Sequence, residues 1–156
     1  MRRFFSVIVL CLFLNSCEDQ VKFNNPAVQG LKNNVLWSAT LIDAVQEADG
    51  SLTIEAYAKN DVLTLKTESV DVNTYIIGVD DVNTIKLVET TANSTTVFST
   101  GENSGNGQIV ITEFDAVNHT ISGEFKCNIP NESGSSAAPY VNFIKGVFYK
   151  IPLKTK

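Results

Sequence analysis

The stretch His119-Thr120-Ile121-Ser122-Gly123-Glu124-Phe125-Lys126-Cys127 has a period of two. His119, Ile121, Gly123, Phe125 and Cys127 fall on one side, and Thr120, Ser122, Glu124 and Lys126 on the other. Successive side chains of a strand point to opposite faces, so the pattern predicts a half-buried strand whose inward face includes His119 and Cys127. Leu52, Ile54, Ala56 and Ala58 alternate in the same way with Thr53, Glu55, Tyr57 and Lys59. Asp49-Gly50 just before them is a turn dipeptide, joining this strand to the preceding run around residues 35–42. Further runs cover 62–67, 74–79, 84–89, 95–100, 108–114 and 141–153. Turn residues separate them at intervals of about ten, the spacing of an antiparallel sandwich or barrel. A weak helical alternative spans Leu41 to Ala48, short and without caps. The expected fold is all-β, an antiparallel β-sandwich or flattened barrel of about 8–9 strands.

Asp71-Val72-Asn73-Thr74 recurs ten residues later as Asp81-Val82-Asn83-Thr84. A tandem repeat needs more copies. Asp and Asn side chains bond locally to backbone, so the two copies mark two strand starts that use the same turn chemistry. The 62–67 run reads as an edge strand protected by the charge of Lys66.

Composition narrows the class. The chain has 156 residues, 12 Lys+Arg against 17 Asp+Glu and a net charge of −5, which suits one domain and opposes nucleic-acid binding. Charged residues make up 19% and hydrophobic ones 44%, so the body is not disordered by composition. Nine Gly and four Pro exclude a collagen-like chain.

The first segment is different. Arg2 and Arg3 precede an apolar run over residues 4–14, then Asn15-Ser16-Cys17. Basic residues before a short apolar run predict an export signal, and eleven residues rise only ~16 Å as a helix, about half a bilayer core. Leu14-Asn15-Ser16-Cys17 resembles the bacterial lipobox. That resemblance implies diacylation of the Cys17 thiol, cleavage between Ser16 and Cys17, and acylation of the new amino group. The expected organisation is a signal peptide over 1–16, a lipidated Cys17 and polar tether over 17–34, and a single β domain over 35–156. The membrane partner is then reached through the lipid and is not crossed. Residues 18–34 could extend ~56–60 Å. Glu18-Asp19 resembles acidic export signals that send some Bacteroidetes lipoproteins to the cell surface, so surface and periplasmic placement at the outer membrane both stay open. Processing leaves ten basic residues against 17 acidic, a net of −7. It also discards Cys11 and acylates Cys17, so Cys127 stands alone and forms no internal disulfide.

Candidate chemistry is sparse. His119 is the chain's one His, which excludes a metal site built on several His and leaves a rim residue or a lone general base. Cys127 shares a face with Ile121 and Phe125 and reads as a buried, inert thiol. Asp61, Asp71, Asn73, Asp80, Asp81 and Asn83 are oxygen-rich, but their spacing fits no twelve-residue calcium loop, so they read as solvated turns. Gly101, Gly105 and Gly107 precede a strand pattern rather than a helix, which excludes a phosphate cradle and predicts a hairpin loop. Residues 128–139 are long for a hairpin connection and are a candidate binding loop. Trp37 alternates with Val35 and Ala39 and reads as core, whereas Tyr57 falls on the polar face of its strand. No catalytic residue, metal site or cofactor is assigned, and the ligand-binding residues stay unknown.

These residues carry a resemblance. Trp37-x-Ala39, Leu52-x-Ile54-x-Ala56, Tyr75-x-Ile77, Gly107-Gln108-Ile109-Val110-Ile111-Thr112, Ile121-Ser122-Gly123-Glu124-Phe125 and Gly146-Val147-Phe148 look like a family of small uncharacterised Bacteroidetes lipoproteins. The resemblance covers residues 35–153. It implies an antiparallel β domain on a lipid tether and transfers no catalytic residue. The expected function is a non-catalytic, membrane-anchored binding or interaction module of the cell envelope, with a glycan or envelope protein as partner. Two alternatives remain: a small barrel carrying an apolar or glycan ligand, and, more remotely, a hydrolase.

Overall fold

In the computed structural model the described residues are 27–134 and 138–156, and they form twelve strands and no helix. One sheet has the order β2 (Val35–Ser38), β1 (Ala27–Lys32), β11 (Tyr140–Pro152), β10 (Thr120–Pro130), β9 (Asn106–Asp115), β6 (Thr74–Ile77). The second has the order β12 (Lys154–Thr155), β3 (Leu41–Gln46), β4 (Leu52–Ala58), β5 (Asp61–Thr67), β7 (Thr84–Thr90), β8 (Thr95–Ser99). All pairings are antiparallel except β12 with β3. The sheets remain separate and do not close into a barrel, so the expected all-β fold takes its sandwich form.

The alternation read from the sequence becomes the core. Ile54 and Ala56 of β4, Leu63 and Leu65 of β5, and Ile85 and Leu87 of β7 meet Ile121 and Phe125 of β10, Phe143 and Phe148 of β11, and Val28 of β1 in one buried cluster. Glycine makes room for the aromatic rings. Gly123 lies opposite Phe148, and Phe125 lies opposite Gly146, so each Gly-x-Phe strand supplies a ring to the other's gap. Ser122 completes the motif: its Oγ accepts the Lys150 amide at 3.0 Å, beside an irregularity where β11 carries an extra residue and Lys150 has φ 45°. Ser-Gly-x-Phe and Gly-x-Phe are therefore one packing device.

Several expectations need correction. The β domain begins earlier than residue 35, because Ala27–Lys32 is a strand with Val28 and Gly30 inward. One of those inward residues has no side chain, which hides the period. Asn33 and Asn34 have φ of 48° and 66°, the backbone of a two-residue hairpin turn, so Lys32 pairs with Val35. The signal segment, the Ser16–Cys17 cleavage site, Cys17 and the tether up to residue 26 lie outside the described residues.

The 35–42 run is two strands in two sheets. The Ala39 amide bonds Val28 O of the first sheet at 2.9 Å, and the next amide, Thr40, bonds Tyr57 O of the second at 2.8 Å. Leu41 to Ala48 is mainly β3, not helix. The 62–67 strand is central, flanked by β4 and β7. Its Lys66 points outward from a paired strand and guards no edge. Thr74 and Thr84 do begin strands, β6 and β7, one in each sheet. The glycine loop at 101–105 crosses from β8 in the second sheet to β9 in the first, so it is not a hairpin.

Candidate functional site

Outward residues of an antiparallel sheet with one solvated face are ordinarily polar. The second sheet departs from this in one row. Leu41 pairs with Tyr57, Tyr57 with Val62, Val62 with Val88, and Val88 with Val97. All five point away from the core; Leu41 is 64% exposed and the other four are half-buried. At ~4.8 Å between strands the row is ~19 Å long. The adjacent row is polar: Asp43, Glu55, Thr64, Lys86 and Ser99, again in direct register. Tyr57 Oη donates to Glu55 Oε2, and this bond holds the phenol above its ordinary value. Next to Tyr57 and Val62 lies an open cleft bordered by Thr40, Lys59, Asn60, Asp61 and Thr90.

An ionic cluster braces this end of the sandwich. Lys32 of β1 reaches across to Asp61 of β5 at 2.5 Å and Glu89 of β7 at 2.6 Å, and Trp37 Nε1 donates to Asp61 Oδ2 at 3.1 Å. Burial alone lowers the Lys32 pKa, but the bonds and charges of Asp61 and Glu89 outweigh it and raise the value above 10.5. A raised lysine stabilises fully below its unfolded value and loses that contribution as pH climbs through the folded one. Lys32→Met leaves two carboxylates facing each other in a half-buried site. Between exposed and buried pairs, the expected loss is about 2 kcal/mol at pH 7. In urea titrations the gap from wild type should hold from pH 7 to 10 and shrink above 10.5; a gap unchanged at pH 11.5 would contradict the ionic origin.

The other candidates fall into place individually. Trp37 is buried, and Tyr57 is partly exposed in the apolar row. Cys127 is buried, and desolvation pushes its thiol up to about 12. His119 is not inward. It sits exposed in the β9–β10 turn at φ 49°, where Asp115 Oδ1 accepts the amides of Val117 and Asn118. The β10 ladder starts one residue later, at Thr120, paired with Asp115.

The oxygen-rich residues serve turns. Asp80 Oδ1 accepts the amides of Val82 and Asn83, Asn83 Oδ1 accepts that of Glu68, and Asp81 Oδ1 accepts that of Glu102. Among the described residues no group of three or more His, Cys, Asp or Glu could hold a metal ion. In the long connection after β10, Glu132 donates to Val97 O at 2.9 Å and Ser133 Oγ accepts the Val97 amide at 2.7 Å. That part of the candidate loop covers the backbone edge of β8; residues 135–137 lie outside the described residues.

The fold and this face define a two-sheet β-sandwich with an apolar row across one outward surface. The chain belongs to the family described as Domain of unknown function (DUF6252), which matches residues 24–152. That family carries no catalytic assignment. No curated protein and no solved structure matches the chain.

Proposed function

We propose that the protein is a lipid-anchored module of the bacterial cell envelope, without catalytic activity, that binds a partner through the outward face of its second sheet. The apolar row Leu41, Tyr57, Val62, Val88, Val97 carries the binding half of this reading, because five strands in register set apolar side chains side by side on an outward face where polar residues are the rule. Arg2, Arg3, the apolar run and Leu14-Asn15-Ser16-Cys17 support the anchoring half. Cys17 would carry the acyl chains after cleavage behind Ser16, holding the domain at the outer membrane on its surface or periplasmic side. Two or three chains make such attachment lasting. With two open sheets in place of a closed barrel, the carrier of an enclosed ligand is the weaker alternative. A glycan remains the second reading, favoured by Tyr57 beside Thr40, Asn60 and Thr90 in the cleft.

Two measurements test the halves. Cells grown with an alkyne palmitate should label the full chain but not its Cys17→Ala variant; equal labelling defeats the anchor. Formaldehyde adducts of the full chain in cells should fall ~tenfold when Val62→Asp and Val88→Asp are combined. Val117→Asp, at a residue 87% exposed in the β9–β10 turn, should leave them unchanged. Adducts indifferent to the paired change would show that this face is not the binding surface.

A further inference from the structure

The outward face of the second sheet has a symmetry that another copy of the same chain completes. We infer that two copies pack face to face through this sheet, about a two-fold axis parallel to the strands and passing over β5. The inference rests on the reading of this face as a binding surface and names its partner.

The middle of the five strands β3, β4, β5, β7 and β8 is β5. Rotation about an axis along it lays β3 over β8 of the second copy and β4 over β7. In the apolar row Leu41 then meets Val97, Tyr57 meets Val88, and Val62 meets Val62. In the polar row Asp43 meets Ser99, Thr64 meets Thr64, and Glu55 meets Lys86, so the acidic half faces the basic half twice in each pair. Strands aligned in this way match the ordinary face-to-face packing of two sheets, ~10 Å apart.

Charge supports the same occupant. The full chain carries −5, and −7 after processing, which opposes self-association, so two copies meet most readily where acidic and basic residues balance locally. On this face Asp43, Glu47 and Glu55 are offset by Lys66, Lys86, Lys154 and Lys156, two of them already paired as Lys154–Asp43 and Lys156–Glu47. Lys66 falls on the axis one row further out, is exposed, and has a stem long enough to turn its ammonium to solvent. The row itself is aliphatic apart from Tyr57, which suits a protein face better than the aromatic platform a sugar stacks on. Two outward rows of five strands and the four-strand Lys66 row, at ~4.8 Å by ~6.8 Å per position, cover ~460 Å² per copy, or ~900 Å² per pair, the size of a weak, transient contact.

The test uses the full chain in its own envelope, with Val62→Cys on the axis and a short bis-maleimide as the probe. Cys127, buried and with its thiol near 12, stays silent, and the chain without Val62→Cys sets the baseline. The expected result is an adduct of twice the chain's mass. Glu55→Lys or Lys86→Glu alone should weaken association roughly tenfold, about 1.4 kcal/mol, and the two together should return it to within about twofold of the starting yield. A double-mass adduct that ignores both single changes overturns the proposed axis. An adduct of another mass overturns the second copy as occupant and leaves the binding surface standing. No adduct at all overturns both.

Discussion

Gly123→Ala is expected to destabilise the domain by about 3 kcal/mol or more, with a fall in melting temperature of roughly 12 °C. A Cβ at position 123 would stand 2.1 Å from the Val110 carbonyl oxygen and 2.3 Å from Cζ of Phe148. The first of these is backbone held in the β9–β10 ladder, and the second belongs to a ring with no exposed surface. Neither can step aside by a rotamer change. Gly146→Ala meets Phe125 O at 2.6 Å and its ring at 2.7 Å, so the cost there is smaller but of the same origin. The ring's share can be separated. Phe148→Leu should recover about 1 kcal/mol of the Gly123→Ala loss in a double-mutant cycle, because the ring clash goes while the carbonyl clash stays. Chemical denaturation of the four variants measures this; strict additivity would show that the Gly–Phe pairing is not what position 123 serves.

That pairing was visible in the sequence only as two separate motifs. Alternation together with turn punctuation locates β4, β5, β7, β8, β9, β10 and β11, the period of two being cleanest in β4 and β10. It failed where the inward face is nearly empty. β1 turns in only Val28 and Gly30, and the Asn33-Asn34 turn contains no glycine to announce it. It failed again where a turn residue continues the strand's rhythm. His119 keeps step with Ile121 and Gly123, yet the Asp115 carboxylate organises the preceding amides into a turn, and the ladder starts at Thr120.

The outward row was illegible for another reason. Tyr57, Val62, Val88 and Val97 are each the one apolar residue among the outward positions of their strand, which in a single strand means nothing. Only the register of four strand pairs with Leu41 lines them up, and register is a property of the assembled sheet. The Lys32–Asp61–Glu89 brace is hidden in the same way, since its members come from three strands of two sheets.

Phe143→Ala is expected to cost about 4 kcal/mol, a large part of the 5–15 kcal/mol that holds a domain of this size together. Phe143 is fully buried, meets Trp37 edge-on at 5.6 Å between ring centroids, and meets Phe125 at 5.8 Å. It also pairs with Cys127 across β10 and β11. Two probes therefore report on it. Because Cys127 is only 4% exposed, a disulfide reagent at pH 8 reaches it only through opening of the fold. A 4 kcal/mol loss should speed that reaction by ~10³. The second probe is fluorescence, since Trp37 is the chain's only Trp. The indole that leans on Phe143 also donates to Asp61, the residue before Val62 in the outward row. If the core sets the site, Phe143→Ala should red-shift Trp37 and lower the yield of the Val62→Cys adduct under conditions where the chain is still folded. An unchanged adduct beside a shifted Trp37 would show that the outward face is held by its own sheet, with the brace serving stability alone.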